Sequence, residues 1–468
     1  MSKTAAIIGG GVIGGGWAAR FSLNGWDVKV YDPDPEAERK INEVMANARR
    51  ALPMLVDQPM PEPGTVTLCA TLEKAATGAD LIVEAVPERV DIKHKVYAQI
   101  EAVNTDGIIA SSTSGIMPTD LQSEMAHPGR LIVAHPFNPV YLLPLVELVA
   151  GEKTDPAHIE AAKEIYSNLG MYPLHCRVEI EGFLSDRLQE ALWREALWLL
   201  HDDVATADEI DAAIAYGPGL RWAQMGTMQT FHLAGGEGGM RAMLAMFGPC
   251  LKWPWTKLMD VPELTDDFVN KVGDQCEDQA GDLGPRDLER IRDDNLIGII
   301  RSLKQNDWGA GSVAKAHSNA LRPEMAEAKP LRSQDRVIPV DWTDINGHMN
   351  EGRYGQLFSD AAEEVMAYVG ADEAYIEGGL SYFTVETTVK YIAETHAGER
   401  VHVDSTITVG EGKKLRCFHE MKRASDGELM ATCDQFMLHV SLETRRTCDP
   451  ADHVKAKVEA LAALHAQG

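Results

Sequence analysis

The chain has 468 residues, of which 45% are hydrophobic and 25% are charged, as in ordinary globular proteins. At about 150 residues per domain, this length predicts roughly three domains. With 71 acidic and 44 basic residues the formal net charge is −27, which excludes general nucleic-acid binding and disfavours anionic membranes.

The first apolar segment, Thr4–Ile8, ends in glycines and has no basic region before it, so it predicts a strand rather than a signal peptide. No apolar run approaches the roughly 18–20 residues of a membrane span. The seven cysteines are scattered without a CxxC pair, which indicates neither a disulfide scaffold nor a structural zinc site. We therefore expect a cytoplasmic protein that binds no metal.

Residues 1–180 alternate short apolar runs with amphipathic stretches that are long enough for crossover helices. The predicted buried parallel strands are Ala5–Ile8, Asp27–Tyr31, Leu81–Glu84, Ile108–Ser111 and Leu131–Ala134. This alternation predicts a doubly wound α/β domain of the Rossmann type.

Beyond residue 180 the strand signal fades, and residues 181–321 are predicted to form an all-α helical domain. The helical spacing is clearest in Leu184–Leu200, and Leu288–Lys304 repeats it. A charged stretch bracketed by prolines then predicts a linker over residues 322–336.

Residues 337–468 are predicted to form an α+β domain in which one long helix, Glu351–Val369, packs on an antiparallel sheet. Its strand-like segments are Val385–Ile392, Arg400–Val409, Lys414–Lys422 and Leu429–Val440. The tail Val454–Gln467 is predicted to be a short helix or a loosely held segment. The chain as a whole is thus predicted to be multi-domain.

A glycine loop between the first predicted strand and the helix Gly14–Asn24 fits the pattern GxGxxG. Its residues are Gly9, Gly10, Gly11, Val12, Ile13 and Gly14. Such a loop brings backbone N–H groups at a helix N-terminus to a pyrophosphate. Asp32 ends the second strand, where a carboxylate binds the ribose hydroxyls and repels a 2′-phosphate, which favours NAD over NADP. A glycine-rich turn without a ligand is the alternative.

His135 stands at the end of a predicted buried strand, at the sheet edge where such folds bind ligands. Oxidation of a secondary alcohol needs a base for the hydroxyl proton, and imidazole suits this near neutral pH. A carboxylate behind the ring fixes its tautomer, and Glu147 is a candidate for that group. A structural histidine remains the alternative on spacing alone.

Residues 1–320 resemble the 3-hydroxyacyl-CoA dehydrogenase superfamily, in which a Rossmann domain precedes a helical dimerisation domain. The motifs that carry the resemblance are Ala110–Ile116, His135–Pro139 with Glu147, and Gly182–Leu188. The resemblance implies that His135 is the base and that Glu147 is the acid that orients it.

The same resemblance implies further site residues. Ser114 and Asn138 hold the substrate oxygen, and Glu88 and Lys93 lie near the cofactor and the substrate entrance. The chain departs from the family at Asp186, where the family has asparagine. A carboxylate there disfavours an anionic neighbour and tolerates a cationic one. An aspartate that caps its helix or pairs with the next arginine is the alternative.

Four segments also resemble the L-carnitine 3-dehydrogenase branch of the superfamily: Ser111–Gly115, His135–Glu147, Ala191–Leu197 and Tyr216–Ala223. Carnitine carries a trimethylammonium group, whose natural host is an aromatic box. The tryptophans of the predicted helical domain include Trp193, Trp198, Trp222, Trp253 and Trp255. Trp193 and Trp222 are the candidates for substrate contact, and a role in the core or an interface is the alternative for each.

The motif D-x-x-G-H-x-N, formed by Asp344, Gly347, His348 and Asn350, resembles that of hot-dog thioesterases of the 4-hydroxybenzoyl-CoA type. The resemblance implies that Asp344 acts as nucleophile or as general base at a thioester carbonyl. It also implies that the N–H groups of the following helix stabilise the oxyanion, and that the protein is a homo-oligomer, at least a dimer.

Together these features predict a bifunctional enzyme that oxidises a quaternary amine hydroxy acid with NAD and hydrolyses a short acyl-CoA thioester, with betainyl-CoA as the suggested substrate. One alternative is a 3-hydroxyacyl-CoA dehydrogenase with a non-catalytic hot-dog module. Another is a crystallin-like structural or binding protein, against which the set Ser114, His135, Asn138 and Glu147 argues.

Overall fold

The structure is a computed structural model. It describes residues 3–247 except 224, 236 and 238, residues 256, 265–268, 270, 282 and 283, and residues 285–467 except 323, 324, 326 and 327. The chain divides into two compact units, Met1–Arg49 with Pro61–His317 and Arg50–Met60 with Ser318–Gly468. Among the described residues, no helix combines the length and apolar character needed to cross a membrane.

The first unit contains a sheet of eight strands. They are β1 (Thr4–Ile8), β2 (Asp27–Tyr31), β3 (Val66–Leu68), β4 (Leu81–Glu84), β5 (Ile108–Ser111), β6 (Leu131–Pro136), β7 (Leu145–Ala150) and β8 (Tyr172–Cys176). Their order is β3-β2-β1-β4-β5-β6-β7-β8, and every neighbouring pair is parallel except β6 and β7. All five strands predicted from the sequence are confirmed.

Helices cover the sheet, as the crossovers of a parallel sheet require. They are α1 (Val12–Leu23), α2 (Ala37–Ala51), α3 (Leu72–Ala76), α4 (Val90–Glu101), α5 (Pro118–Leu121) and α6 (Pro156–Asn168). Strands β4, β5 and β6 are buried along their whole length. Burial on both faces explains why these strands are continuous apolar runs in the sequence.

The described residues after β8 in the first unit are mainly helical. Their helices are α7 (Ser185–His201), α8 (Ala207–Ala215), α9 (Pro218–Trp222), α10 (Thr227–Ala234), α11 (Gly239–Phe247), α12 (Pro285–Gln305) and α13 (Ala310–Ala320). The helices predicted over Leu184–Leu200 and Leu288–Lys304 are confirmed as α7 and α12. Trp253 and Trp255 lie outside the described residues. A separate all-α domain stays a prediction.

The second unit contains an antiparallel sheet in the order β10-β13-β12-β11-β9. Its strands are β9 (Leu331–Val337), β10 (Leu380–Tyr391), β11 (Arg400–Glu411), β12 (Lys414–Arg423) and β13 (Leu429–Ser441), and its helices are α14 (Glu351–Tyr368), α15 (Glu373–Glu377) and α16 (Asp452–Ala466). Helix α14 packs on the sheet through buried residues at helical spacing, among them Leu357, Phe358, Ala361 and Val365. This is the layout expected of a hot-dog domain.

The predicted linker over residues 322–336 is wrong in its second half, because β9 pairs there with β11. Several buried positions of β9 are polar. The hydroxyl groups of Ser333 and Ser405 lie 2.6 Å apart, and Arg336 forms an ion pair of 3.1 Å with Asp360. Without apolar alternation the sequence carries no strand signal here.

The second unit also takes a segment from early in the chain, Arg50–Met60. This segment includes a 3₁₀ turn, Leu52–Leu55, which lies beside β9. The backbone N–H of Asp57 donates to the Ser318 hydroxyl at 2.9 Å. The two parts of the second unit are therefore joined by side-chain packing and by hydrogen bonds.

Candidate active sites

The carboxyl ends of the parallel strands meet at one edge of the first unit's sheet. The strand order reverses between β1 and β4, and ligands bind at such a switch point in open α/β sheets. The glycine loop follows β1, Asp32 follows β2, Glu88 follows β4 and Ser114 follows β5, while His135 lies at the end of β6. The topology therefore brings the predicted cofactor and catalytic residues to one edge.

The glycine loop has the shape of a dinucleotide cradle. Gly9 has a φ of +103°, and a Cβ there would lie 2.4 Å from the carbonyl oxygen of Ala85, so only glycine fits. A Cβ at Gly14 would lie 1.8 Å from the Gly9 carbonyl oxygen, which explains the close packing of α1 on the loop. No side chain caps α1, so its first N–H groups face the loop as anion donors.

Asp32 is held at the loop by its own hydrogen bonds. Its Oδ2 accepts from the backbone N–H of Gly10 at 2.5 Å, and its Oδ1 accepts from the N–H of Asp34 at 2.7 Å. The carboxylate thus lies where the sequence analysis expects a ribose partner. The residues present fit a dinucleotide without a 2′-phosphate.

His135 and Glu147 face each other directly across the antiparallel pair β6 and β7. The His135 Nδ1 and the Glu147 Oε2 lie 3.0 Å apart, and both side chains are almost completely buried. This contact leaves Nε2 as the ring atom that is available to a substrate hydroxyl group. The base and the orienting acid inferred from the sequence are therefore neighbours.

The second carboxylate oxygen of Glu147 accepts hydrogen bonds at the N-terminus of α7. Its Oε1 accepts from the backbone N–H groups of Leu184 and Ser185, at 3.1 and 3.0 Å, and from the Ser185 hydroxyl at 3.1 Å. Burial alone raises the pKa of Glu147, but the hydrogen bonds from His135 and Ser185 outweigh it, so the pKa lies below its usual range. Glu147 is therefore held as a carboxylate. Sequence reasoning missed Ser185.

Asp186, the second residue of α7, lies on the other side of the imidazole ring. Its Oδ2 is 3.6 Å from the Nε2 of His135, and 20% of its side chain is exposed. Burial raises the pKa of Asp186, the charge of His135 lowers it, and nearby carboxylates, Glu147 first among them, raise it further. The base is thus flanked by two carboxylates rather than by the one that the sequence analysis predicts.

Glu88 and Lys93 belong to a network that fixes the loop after β5. Glu88 accepts from the hydroxyl of Thr113 and, at 3.0 Å, from the backbone N–H of Ser114. Lys93 Nζ lies 3.3 Å from Glu88 and 2.7 Å from the fully buried Glu84. Burial raises the pKa of Glu88, but the Thr113 hydrogen bond and the Lys93 charge bring it below its usual value. Both residues therefore position the Ser114 loop.

Glu84, which sequence reasoning missed, anchors this network. It is fully buried and also accepts hydrogen bonds from Tyr97, at 2.6 Å, and from Ser111, at 2.7 Å. A lone acid at the end of the apolar run Leu81–Glu84 was the signal that could have revealed it, because a buried charge needs partners.

Replacing Lys93 with methionine should destabilise the first unit by about 3 kcal/mol, because Glu84 would keep its buried charge without a counter-ion. Urea unfolding measures the change in the free energy of unfolding. The exposed Lys74→Met variant is the matched control and should change it by less than about 0.5 kcal/mol. Adding Glu84→Gln to Lys93→Met should recover part of the loss, and an unchanged double variant would contradict the pairing.

Ser114 and Asn138 are exposed and follow the neighbouring strands β5 and β6. Their positions at one sheet edge are compatible with a joint contact to a substrate, and their roles stay predictions. Trp193 and Trp222 are 58% and 40% exposed, on α7 and α9. The structure therefore does not place these two rings in a core, and their contact with the substrate stays a prediction.

Asp344 lies in the second unit, in a tight loop before α14. Its Oδ1 accepts from the N–H of Asn346 at 2.8 Å, and its backbone N–H donates to the carbonyl of His348 at 2.9 Å. Gly347 has a φ of +78°, which this turn requires. Asn350 caps α14 by accepting from the N–H of Gly352 at 2.9 Å. The motif thus combines one half-buried carboxylate with a helix N-terminus.

His348 contacts residues outside the motif. It lies opposite His396 in an isolated antiparallel bridge, and its Nε2 is 3.2 Å from a carboxylate oxygen of Glu394. One nitrogen or oxygen atom from each of His348, Glu394 and His396 lies within 4.8 Å of the corresponding atoms of the other two, a spacing that could admit a divalent cation. The carboxylate is 69% exposed and already pairs with His348, so we assign this cluster no role.

Three family models match the chain. The model "3-hydroxyacyl-CoA dehydrogenase, NAD binding domain" matches residues 4–179, and the corresponding "C-terminal domain" matches residues 182–265. The "Thioesterase-like superfamily" model matches residues 338–458. The resemblances inferred for both parts of the sequence are thus confirmed.

Similar proteins agree with these matches. A "L-carnitine dehydrogenase/betainyl-CoA thioesterase" of Ruegeria pomeroyi is 52% identical over 99% of this chain and 96% of its own length. A "L-carnitine dehydrogenase" of Mesorhizobium japonicum is 56% identical over 70% of this chain and 92% of its own. A solved NAD⁺-dependent dismutase, a pyridine-carboxylic acid 5-dehydrogenase, is 29% identical over 65% of this chain and 99% of its own, with a TM-score of 0.56.

Proposed function

Because the chain belongs to the 3-hydroxyacyl-CoA dehydrogenase family, in the group that carries a thioesterase-like domain after it, we propose a bifunctional enzyme. The first unit oxidises L-carnitine to 3-dehydrocarnitine with NAD. The second hydrolyses a short acyl-CoA thioester, with betainyl-CoA as its substrate. The observation that carries the dehydrogenase assignment is the buried His135–Glu147 pair at the sheet edge.

The geometry suits proton abstraction from a secondary alcohol. Ser114 and Asn138 hold the C3 hydroxyl group, and Nε2 of His135 takes its proton as the C3–H bond breaks. Glu147 keeps Nδ1 protonated and stabilises the imidazolium that forms. NAD, when bound at the glycine loop and Asp32, supplies the acceptor for the hydride.

In the second unit, Asp344 is the carboxylate that we propose for thioester hydrolysis. Asp344 either attacks the thioester carbonyl or activates the water that does, and N–H groups at the start of α14 stabilise the oxyanion. We also propose that the protein is a homodimer, in which two equivalent thioesterase sites would lie between the subunits. We propose a cytoplasmic location for it. We further propose residues 1–180 and 181–321 as separate dehydrogenase domains and residues 337–468 as the thioesterase domain, to which β9 is added.

Two alternatives have less support. A 3-hydroxyacyl-CoA dehydrogenase with an inert second module has to accommodate Asp186 beside its base. A purely structural protein has no need for the buried His135–Glu147 pair.

Purified protein should reduce NAD with L-carnitine and not with 3-hydroxybutyryl-CoA, and should release thiol from betainyl-CoA. Reduction driven by 3-hydroxybutyryl-CoA alone would favour the first alternative. Absence of both activities in folded protein would favour the second.

Glu147→Gln should lower the kcat of carnitine oxidation about 10²-fold with little change in KM, because the amide cannot stabilise the imidazolium by charge. Steady-state kinetics at saturating NAD measure both constants. Glu152→Gln removes an exposed carboxylate just past β7 and should leave them unchanged. A rise in KM without a fall in kcat would place Glu147 in substrate binding instead.

A further inference from the structure

Asp186 puts a carboxylate beside the imidazole of the proposed base, and no lysine or arginine among the described residues forms an ion pair with it. Its neighbour Arg187 donates to the carbonyl of Glu181 at 3.3 Å instead of pairing with it. Among the residues that the structure describes, the group within ion-pair range of Asp186 is the imidazole of His135, at 3.6 Å. Asp186 therefore does not pair with Arg187, which was one alternative left open by the sequence analysis.

The charges that face Asp186 make its environment strongly acidic. Glu147, Glu190 and Glu88 all act on it with the same sign, and His135 is the opposing group. Such a centre attracts a cationic substrate group and repels an anionic one, and a partly desolvated carboxylate gains most from a counter-ion. The site is built for a ligand that brings a positive charge close to the base.

We propose that Asp186 is the counter-ion of the quaternary ammonium group of the substrate. The proposal rests on the proposed function, since it assumes that the substrate is carnitine. In carnitine a single methylene separates the carbon that bears the hydroxyl group from the ammonium nitrogen. When His135 Nε2 is about 3 Å from the hydroxyl oxygen, the ammonium group is therefore no more than about 10 Å from Asp186, and salt screens such partly buried charges much less than exposed ones.

A different role for Asp186 has a different signature. If the carboxylate only stabilised the imidazolium of His135, it would accelerate oxidation of every alcohol in the site equally. A counter-ion acts on the charged substrate alone. An uncharged substrate of the same shape therefore separates the two roles.

The matched substrate is 3-hydroxy-5,5-dimethylhexanoate, in which carbon replaces the ammonium nitrogen of carnitine. We expect Asp186→Asn to lower the preference for carnitine over this isostere, as a ratio of kcat/KM values, about tenfold or more. Where the isostere is oxidised too slowly, its competitive inhibition constant against carnitine supplies the comparison. Asp186→Glu, which keeps the charge, should retain more of the preference than the asparagine variant.

Glu152→Gln is the control for loss of charge, because Glu152 is an exposed carboxylate just past β7 and is not among the groups that act on Asp186 above. It should leave the preference ratio unchanged. An equal fall for both substrates in Asp186→Asn, or an unchanged ratio, would overturn the proposal. Failure of the proposed function is distinct, because wild-type protein would then not oxidise carnitine. Thioester hydrolysis by each variant shows that the chain has folded.

Discussion

The His135→Ala variant is expected to oxidise carnitine about 10² to 10⁴ times more slowly than the wild type while binding NAD as before. The imidazole ring supplies the one buried base at the end of β6, and its loss leaves the hydroxyl proton without an acceptor. The glycine loop and Asp32 are at β1 and β2 and keep their contacts. Stopped-flow reduction of NAD measures the rate, and protein fluorescence quenching measures NAD affinity.

The surface variant His127→Ala is the matched control, since its ring is exposed in the same unit. It should oxidise carnitine at the wild-type rate. Turnover retained by His135→Ala would remove His135 from the mechanism. Thioester hydrolysis should be intact in both variants, so a loss of that activity would indicate misfolding rather than a missing base.

Replacing Asp344 with asparagine should reduce thioester hydrolysis about 10² to 10⁴-fold and leave carnitine oxidation unchanged. Asparagine keeps an oxygen that can accept from the N–H of Asn346, so the loop is preserved while the charge is lost. Thiol release from betainyl-CoA measures the effect. Asp344→Ala removes the hydrogen bond as well and tests whether loop geometry adds to the loss.

The effects of the two variants on the two activities are expected to be opposite. His135→Ala should lose only the first activity and Asp344→Asn only the second, so each variant serves as the other's folding control. Hydrolysis that persists in Asp344→Asn would contradict the assignment of Asp344 to the thioesterase site of the second unit.

Strands that are buried on both faces, such as Leu131–Pro136, could be predicted because burial makes them largely apolar. Strand β7 was not predicted, because Glu147 interrupts its apolar run. Strand β3 has only three residues, two of them exposed, and β8 begins with an exposed tyrosine and a proline. Short or polar strands depend on pairing partners that a local pattern does not show.

Residue types and family motifs were enough to select His135, Glu147 and Asp344. The sequence could not show which charged side chains lie next to these three residues. The contacts of Glu84 with Lys93 and Tyr97 join residues on different elements, and the approach of Asp186 to His135 depends on where α7 begins. These features follow from tertiary packing, which one-dimensional spacing does not encode.

The segment Arg50–Met60 also affects how the protein is made. Asp57 bonds to Ser318, 261 positions later, and the buried residues Leu52 and Leu55 lie in the turn beside β9. During synthesis this apolar turn leaves the ribosome long before β9 exists, so the second unit is complete only when most of the chain has been made. A gene fragment for residues 318–468 would lack this segment of its own unit. The chain is therefore not a pair of modules that can be separated by cutting one peptide bond.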